Sequence, residues 1–119
     1  MHKYDLTNRT AIITGGAQGF GLDIAKRFLD SGATAIIWDI DENELIKASK
    51  ELNSPKLSYN VVDVSNFKIV KKTVDEIAKN SNIDILINNA GITGSTSPLW
   101  EYDVDEWNKI VQINLMGTF

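Results

Sequence analysis

Four glycines fall within one short stretch: Gly15, Gly16, Gly19 and Gly21. They follow an apolar run that ends at Thr14. A helical pattern starts directly after them, with Ile24, Ala25, Phe28 and Leu29 on one face. Glycine accepts positive φ and has no Cβ to hold a ligand away from the backbone. The start of a helix aims its free N–H groups and positive dipole end at such a turn. Together these features make an anion site suited to a pyrophosphate. Gln18 and Phe20 sit between the glycines and join Gly15, Gly19 and Gly21 as candidate ligand contacts. The spacing is Gly15-x-x-x-Gly19-x-Gly21, not the general G-x-G-x-x-G fingerprint. Taken alone, it also fits a tight strand–helix turn that binds nothing.

A second chemical feature is Asp39, eighteen residues after Gly21 and followed by Ile40. Dinucleotide-binding units carry an acid about 20 residues past their glycine turn. A carboxylate there accepts from the two vicinal hydroxyls of an adenosine ribose and repels a 2′-phosphate. That chemistry predicts NAD over NADP. Asp39 also fits a plain strand-end residue, and the glycine turn tips the reading toward the ribose. A third feature is Asn88-Asn89-Ala90-Gly91, which closes an apolar run. The amides suit holding neighbouring backbone or a cofactor ribose, and the small residues suit close backbone approach.

The elements that must position these residues follow from periodicity. Thr10 to Thr14 reads as a strand apolar on both faces, as expected when helices cover both sides. Gly19 to Ser31 is a helix, with Gly32 at its C′ position. Ala33 to Asp39 is a second strand. Asp41 and Glu44 form a capping-box pattern for a helix with Leu45, Ala48, Ser49 and Leu52 on one face, and Asn53-Ser54-Pro55 breaks it. Leu57 to Val62 is a third strand closing on Asp63-Val64. Ser65 is placed to cap the next helix, whose face is Val70, Val74, Ile77 and Ala78. Asp84 to Ile87 is a fourth strand. Ile92 to Trp100 is an irregular loop, either a substrate contact or a plain connector. Asp103 and Glu106 form another capping-box pair. Trp107, Ile110, Val111, Asn114, Leu115 and Thr118 then share a helix face. Asn114 is the polar member of that stripe and needs specific partners if buried. The order β-α-β-α-β-α-β-α with right-handed crossovers gives an α/β, Rossmann-like, doubly wound parallel sheet in strand order 3-2-1-4.

Composition excludes several classes. The 119 residues suit one domain. The net charge of −4 argues against nucleic acid as main partner and against a basic membrane-binding face. There is no cysteine, hence no disulfide and no thiolate metal site. His2 is the single histidine and lies at a terminus, so no metal or catalytic role is expected of it. No apolar run reaches the length of a membrane span. The lead-in Met1-His2-Lys3-Tyr4-Asp5 does not open a signal peptide, which makes the cytoplasm the default location.

Together the motifs resemble the short-chain dehydrogenase/reductases. Thr14 to Gly21 is similar to that family's T-G-x-x-x-G-x-G turn, Asp39 to its NAD-selecting acid and Asn88-Asn89-Ala90-Gly91 to its N-N-A-G motif. Asp63-Val64 is similar to the pair that contacts adenine, and Val111-Gln112-Ile113-Asn114-Leu115 to the helix carrying the asparagine of an Asn-Ser-Tyr-Lys tetrad. From Asp103 to Phe119 the chain is most similar to 3-oxoacyl-carrier-protein-reductase-like and sugar-dehydrogenase-like members. The resemblance implies NAD as cofactor and an alcohol or ketone as small-molecule substrate. It implies hydride transfer at C4 of the nicotinamide, a catalytic role for Asn114 in a water-linked proton relay, and a homo-oligomer for the longer protein.

One departure from that pattern bears on activity. The family's proton donor is the tyrosine of a Tyr-x-x-x-Lys motif beyond the asparagine helix. Here Tyr4, Tyr59 and Tyr102 are followed four residues on by Asn8, Asp63 and Glu106. The tetrad's serine, tyrosine and lysine are missing, so residues 1–119 read as an incomplete NAD-binding domain, the cofactor half of an oxidoreductase and inactive alone. The alternative is a non-catalytic nucleotide-binding or interaction module. A methyltransferase also uses a glycine turn and an acid after its second strand, but Asn88 to Gly91 argues against it. The isolated chain is expected to be marginally stable or to self-associate, because the fourth strand lacks an outer neighbour. A clean, cooperatively melting monomer in sedimentation would contradict that.

Overall fold

A computed structural model describes residues 3–119, and His2 lies outside the described residues. Four parallel strands form one sheet: β1 (Thr10–Thr14), β2 (Thr34–Asp39), β3 (Leu57–Val61) and β4 (Ile85–Ile87). Their order is β3-β2-β1-β4, the order expected. Ile12 lies opposite Ile36 on one side and Leu86 on the other. This register puts alternate residues of the central strands on opposite faces. Ala11, Ile13, Ala35 and Ile37 pack with Ala25, Leu45 and Ala48 of helices α1 (Gly19–Asp30) and α2 (Glu42–Leu52). Ile12, Ile36, Trp38 and Val62 face the other way, toward Val70, Val74 and Ile77 of α3 (Phe67–Ala78). The interiors of β1 and β2, Ala11 to Ile13 and Ala35 to Trp38, are apolar on both faces because both are covered.

The helix ends follow local chemistry, with three departures from the sequence pattern. Gly32, at φ 92°, takes the left-handed C′ position after α1. Asp41 caps α2 by accepting from the Glu44 N–H at 3.2 Å. The box stays half-made there, because the Glu44 carboxylate pairs with Lys47 at 3.6 Å instead of reaching back. Asn66, not Ser65, caps α3, accepting from the Ile69 N–H at 3.2 Å. Ser65 is drawn away because its hydroxyl donates to Asp63 Oδ1 at 2.6 Å. On α3, Ala78 is exposed and Thr73 is buried in its place, the Thr73 hydroxyl satisfied by the Ile69 carbonyl at 2.7 Å.

The largest correction concerns α4 (Val104–Val111). The expected continuous stripe through Thr118 breaks at a π turn, Gln112–Met116, closed by the Gly117 N–H on the Gln112 carbonyl at 2.8 Å. The wider turn rotates later residues off the 3.6-residue face. No residue of α4 is buried. Trp107 is 50% exposed and Leu115 65% exposed, and Asn114 is also exposed. Gly117 has φ −62°, an ordinary helical value. Its missing Cβ leaves room for Val64, whose Cγ2 lies 2.7 Å from that position. β4 is an edge strand among the described residues, and Leu86 on it is exposed. No helix among these residues is long and apolar enough to cross a membrane.

Candidate cofactor site

The glycine turn, Asp39, Asp63-Val64 and Asn88 to Gly91 lie at the carboxyl ends of their strands, around the point where β1 has β2 on one side and β4 on the other. Ligands of open α/β sheets bind at such switch points. A groove of about 410 Å³ opens there. Gly15, Gln18 and Phe20 line it from the glycine turn, and Asp39 and Ile40 from the end of β2. Asp63 and Val64 line it past β3, and Asn89, Ala90 and Gly91 past β4. Val62, Ile92 and Ile113 also line it, none of them a candidate ligand contact in the sequence. Ile92 and Ile113 flank Gly91 and Asn114 in sequence, the only local hint of their place.

Gly19 and Gly21 do not line the groove, and they shape it differently. Gly21 is buried where three segments meet. A Cβ there would collide with the Gly15 carbonyl oxygen and lie 2.6 Å from Asn89 Nδ2. Gly19 is exposed at φ 60°, and nothing lies within 4 Å of its missing Cβ. It leaves open space above the first turn of α1. Gln18 at the N-cap makes no side-chain capping bond, and the first turn holds no acidic residue. The leading N–H groups of α1 are thus left for an outside acceptor.

Thr14 fastens the end of β1 to the end of β4. Its hydroxyl donates to the Ile87 carbonyl at 3.3 Å and accepts from the N–H groups of Asn89 at 3.0 Å and Ala90 at 2.9 Å. Asn89 completes the joint by donating from Nδ2 to the Gly15 carbonyl at 3.0 Å. Thr14→Val keeps the shape but leaves two amide N–H groups without an acceptor. It is expected to lower stability by about 2–4 kcal/mol in urea unfolding, with Thr14→Ser recovering most of the loss.

Asp39 is held from two sides. Its carboxylate accepts from the Ala17 N–H at 3.3 Å and the Asp41 N–H at 3.2 Å. It therefore ties the glycine turn to the end of β2 and still borders the groove. Asp63 is turned onto Ser65, accepting from its N–H at 2.9 Å as well as its hydroxyl. Asn114 lies behind the groove rather than in its wall. Its Oδ1 accepts from the Ile92 N–H at 2.8 Å and its Nδ2 donates to the Ile92 carbonyl at 2.9 Å. One amide thus grips both main-chain groups of one residue, the specific partnering its polarity demanded, although it is exposed. The Asn114 main-chain carbonyl accepts from the Thr118 hydroxyl at 3.1 Å.

Past Ile92 the loop turns onto α4. Asp103 caps that helix through the Asp105 N–H at 3.2 Å. The Glu106 carboxylate, expected to reach back to the cap, instead accepts from Ser95, from its N–H at 2.6 Å and its hydroxyl at 2.8 Å. Burial first, and then the Glu106 charge, push the Tyr102 hydroxyl above the ordinary tyrosine value. The fold thus favours the neutral phenol. That contribution is fully present below the ordinary tyrosine pKa and is lost as pH rises through the shifted one. Absorbance titration of the chain against Tyr102→Phe is expected to show a late-ionising phenol, and Glu106→Gln is expected to bring it earlier.

Residues 9–119 match the family model of the short chain dehydrogenases. The chain belongs to that family. Among curated relatives, a 2-dehydro-3-deoxy-L-rhamnonate dehydrogenase (NAD(+)) of Sphingomonas sp. is 38% identical over 112 residues, covering 93% of this chain and 44% of the relative. A 3-oxoacyl-(acyl-carrier-protein) reductase of Chlamydia muridarum is 39% identical over 114 residues, covering 92% and 46%. A solved 3-ketoacyl-(acyl-carrier-protein) reductase from Brucella melitensis, complexed with NADH, superposes with a TM-score of 0.88 at 32% identity, covering 95% of this chain and 46% of that one. The chain therefore spans about half the length of these curated relatives.

Proposed function

We propose that residues 1–119 form the NAD-binding half of an oxidoreductase that interconverts an alcohol and a ketone. One observation carries this reading. The uncapped, acid-free start of α1, opened by Gly19, shares a groove wall with the anchored Asp39 carboxylate. The first suits a pyrophosphate and the second a ribose diol, at the separation the βαβ unit sets. Gly15, Gln18 and Phe20 would border the pyrophosphate, Asp39 and Ile40 the adenosine ribose, Asp63 and Val64 the adenine, and Asn89 to Gly91 the middle of the cofactor. When bound, the nicotinamide supplies or accepts the hydride. A relative named for NAD(+) and a related reductase complexed with NADH support the choice of dinucleotide.

Asn114 is assigned to the proton side of the reaction. Its side chain is spent on Ile92, which leaves its main-chain carbonyl as the group that meets a proton relay, with the Thr118 hydroxyl already on it. The chain holds no Tyr-x-x-x-Lys pair. Losing a positioned proton donor removes about 10²–10⁴-fold in rate, so the 119-residue chain is expected to bind cofactor without turning over substrate. Cytoplasmic residence agrees with the absence of cysteine. The test is a fluorescence titration of the chain with NADH and NADPH, followed by an assay of ketone reduction. NADH binding with NADPH much weaker and no turnover is the expected result. Binding of neither dinucleotide overturns the reading.

A further inference from the structure

We infer that Ser95 and Glu106 form a latch that holds the segment after Gly91 in place, making Glu106 a positioning residue for the nicotinamide half of the groove. This rests on the dinucleotide reading above. In the third position of α4, a glutamate has a local partner available, the N–H of its own cap residue. Glu106 forgoes it and places its carboxylate on Ser95, eleven residues away in sequence, accepting from the N–H at 2.6 Å and from the hydroxyl at 2.8 and 3.0 Å. Hydrogen bonds to an ionised acceptor are the strong kind.

The neighbouring contacts leave the segment little room. At Gly94 a Cβ would collide with the Tyr102 hydroxyl and Ile110 Cδ1, so only glycine lets the main chain lie this close to α4. Tyr102 is itself braced edge-on against Trp107, with ring centroids 5.9 Å apart. At the other end Ile92 is gripped by Asn114 at both its N–H and its carbonyl. Thr93 thus sits between two fixed points, beside a residue that lines the groove. Its own side chain is exposed.

The sheet order says which half of the ligand this concerns. With the pyrophosphate at the start of α1 and the adenosine ribose at Asp39, the adenosine half lies over β2 and β3. The other half must then lie over β4, where Gly91 and Ile92 form the wall. Releasing Ser95 frees the wall that touches the nicotinamide riboside and leaves the adenosine end untouched.

The experiment compares NADH and AMP binding by calorimetry, with the emission of bound NADH as a signature of the nicotinamide environment. Glu106→Leu removes the acceptor. Glu106→Gln keeps one neutral acceptor and serves as partial rescue. Ser95→Ala, a surface change on a loop, covers the case in which Glu106→Leu misfolds. NADH affinity is expected to fall about fivefold or more in Glu106→Leu and less in Ser95→Ala and Glu106→Gln. AMP affinity should be unchanged throughout, and the emission of bound NADH should shift toward that of free NADH. A plain loss of stability would not separate the two ligands. If the parent chain binds both and the variants match it, or lose both equally, the latch is overturned while the dinucleotide reading stands. If the parent chain binds neither, the dinucleotide reading falls and the latch with it.

Discussion

Gly21→Ala is expected to be the most damaging single methyl that can be added to this chain. The new Cβ would press on the Gly15 carbonyl oxygen and stand 2.6 Å from Asn89 Nδ2. Neither neighbour is free to yield. The carbonyl belongs to a glycine at φ 62°, packed within 3.0 Å (measured from its own missing Cβ) of Ala90 Cα, and the amide is already bonded to that carbonyl at 3.0 Å. Overpacking against such atoms costs about 1–3 kcal/mol and at times more. Losing the Asn89 bond adds about 1 kcal/mol. Set against a domain stability of about 5–15 kcal/mol, that is a large share. Gly19→Ala is the informative companion. Its φ of 60° makes alanine cost about 1–2 kcal/mol, yet its methyl would meet nothing within 4 Å. The first variant should lower the urea midpoint much more than the second. The second should lose NADH binding while staying folded, because its methyl fills the space proposed for the pyrophosphate. Equal midpoints for the two, or unimpaired NADH binding by Gly19→Ala, would refute the assignment.

The second large effect is expected at Asp39. A fixed carboxylate facing a 2′-phosphate is a like-charge pair with little freedom to separate, since the Ala17 and Asp41 N–H groups hold it. Such juxtapositions cost several kcal/mol, which corresponds to about 100-fold or more in relative affinity. Asp39→Asn keeps an acceptor for the turn and removes the charge. The ratio of NADPH to NADH dissociation constants should fall by about that factor, mostly through tighter NADPH. A parallel thermal melt separates this from loosening of the glycine turn, which would weaken both dinucleotides alike. An unchanged ratio would take Asp39 out of cofactor selection.

The sheet and its edge were legible because their signals are local and redundant. Two-sided apolar strands, a left-handed Gly32 and a glycine cluster each need only a few neighbouring residues to interpret. The contacts that finish the site are not local. Thr14 looks like any strand-end threonine until β4 arrives beside it, and Glu106 satisfies a capping pattern on paper while its partner lies eleven residues upstream. Ser65 and Asn66 are both good cap residues, and the choice falls to Asn66 only because Asp63 claims the Ser65 hydroxyl. The π turn after Val111 has no compositional mark. It undoes a stripe that spacing alone would extend to Thr118, and Leu115, which lies within the turn, is exposed.

The Thr14 joint also bears on the order in which the molecule assembles. The hydroxyl and the amides it serves are separated by 75 and 76 residues of chain. Among the described residues β4 is the last strand to be made, and its pairing with β1 closes the longest loop in the sheet. Contacts of that span form late, because loop-closure entropy must be overcome before they stabilise anything. The nicotinamide wall of the groove therefore comes into being with the docking of β4, whereas the adenosine end needs only β1 to β3. A dinucleotide spanning both ends would hold the finished fold shut. Its presence should slow unfolding while leaving the refolding rate where it was.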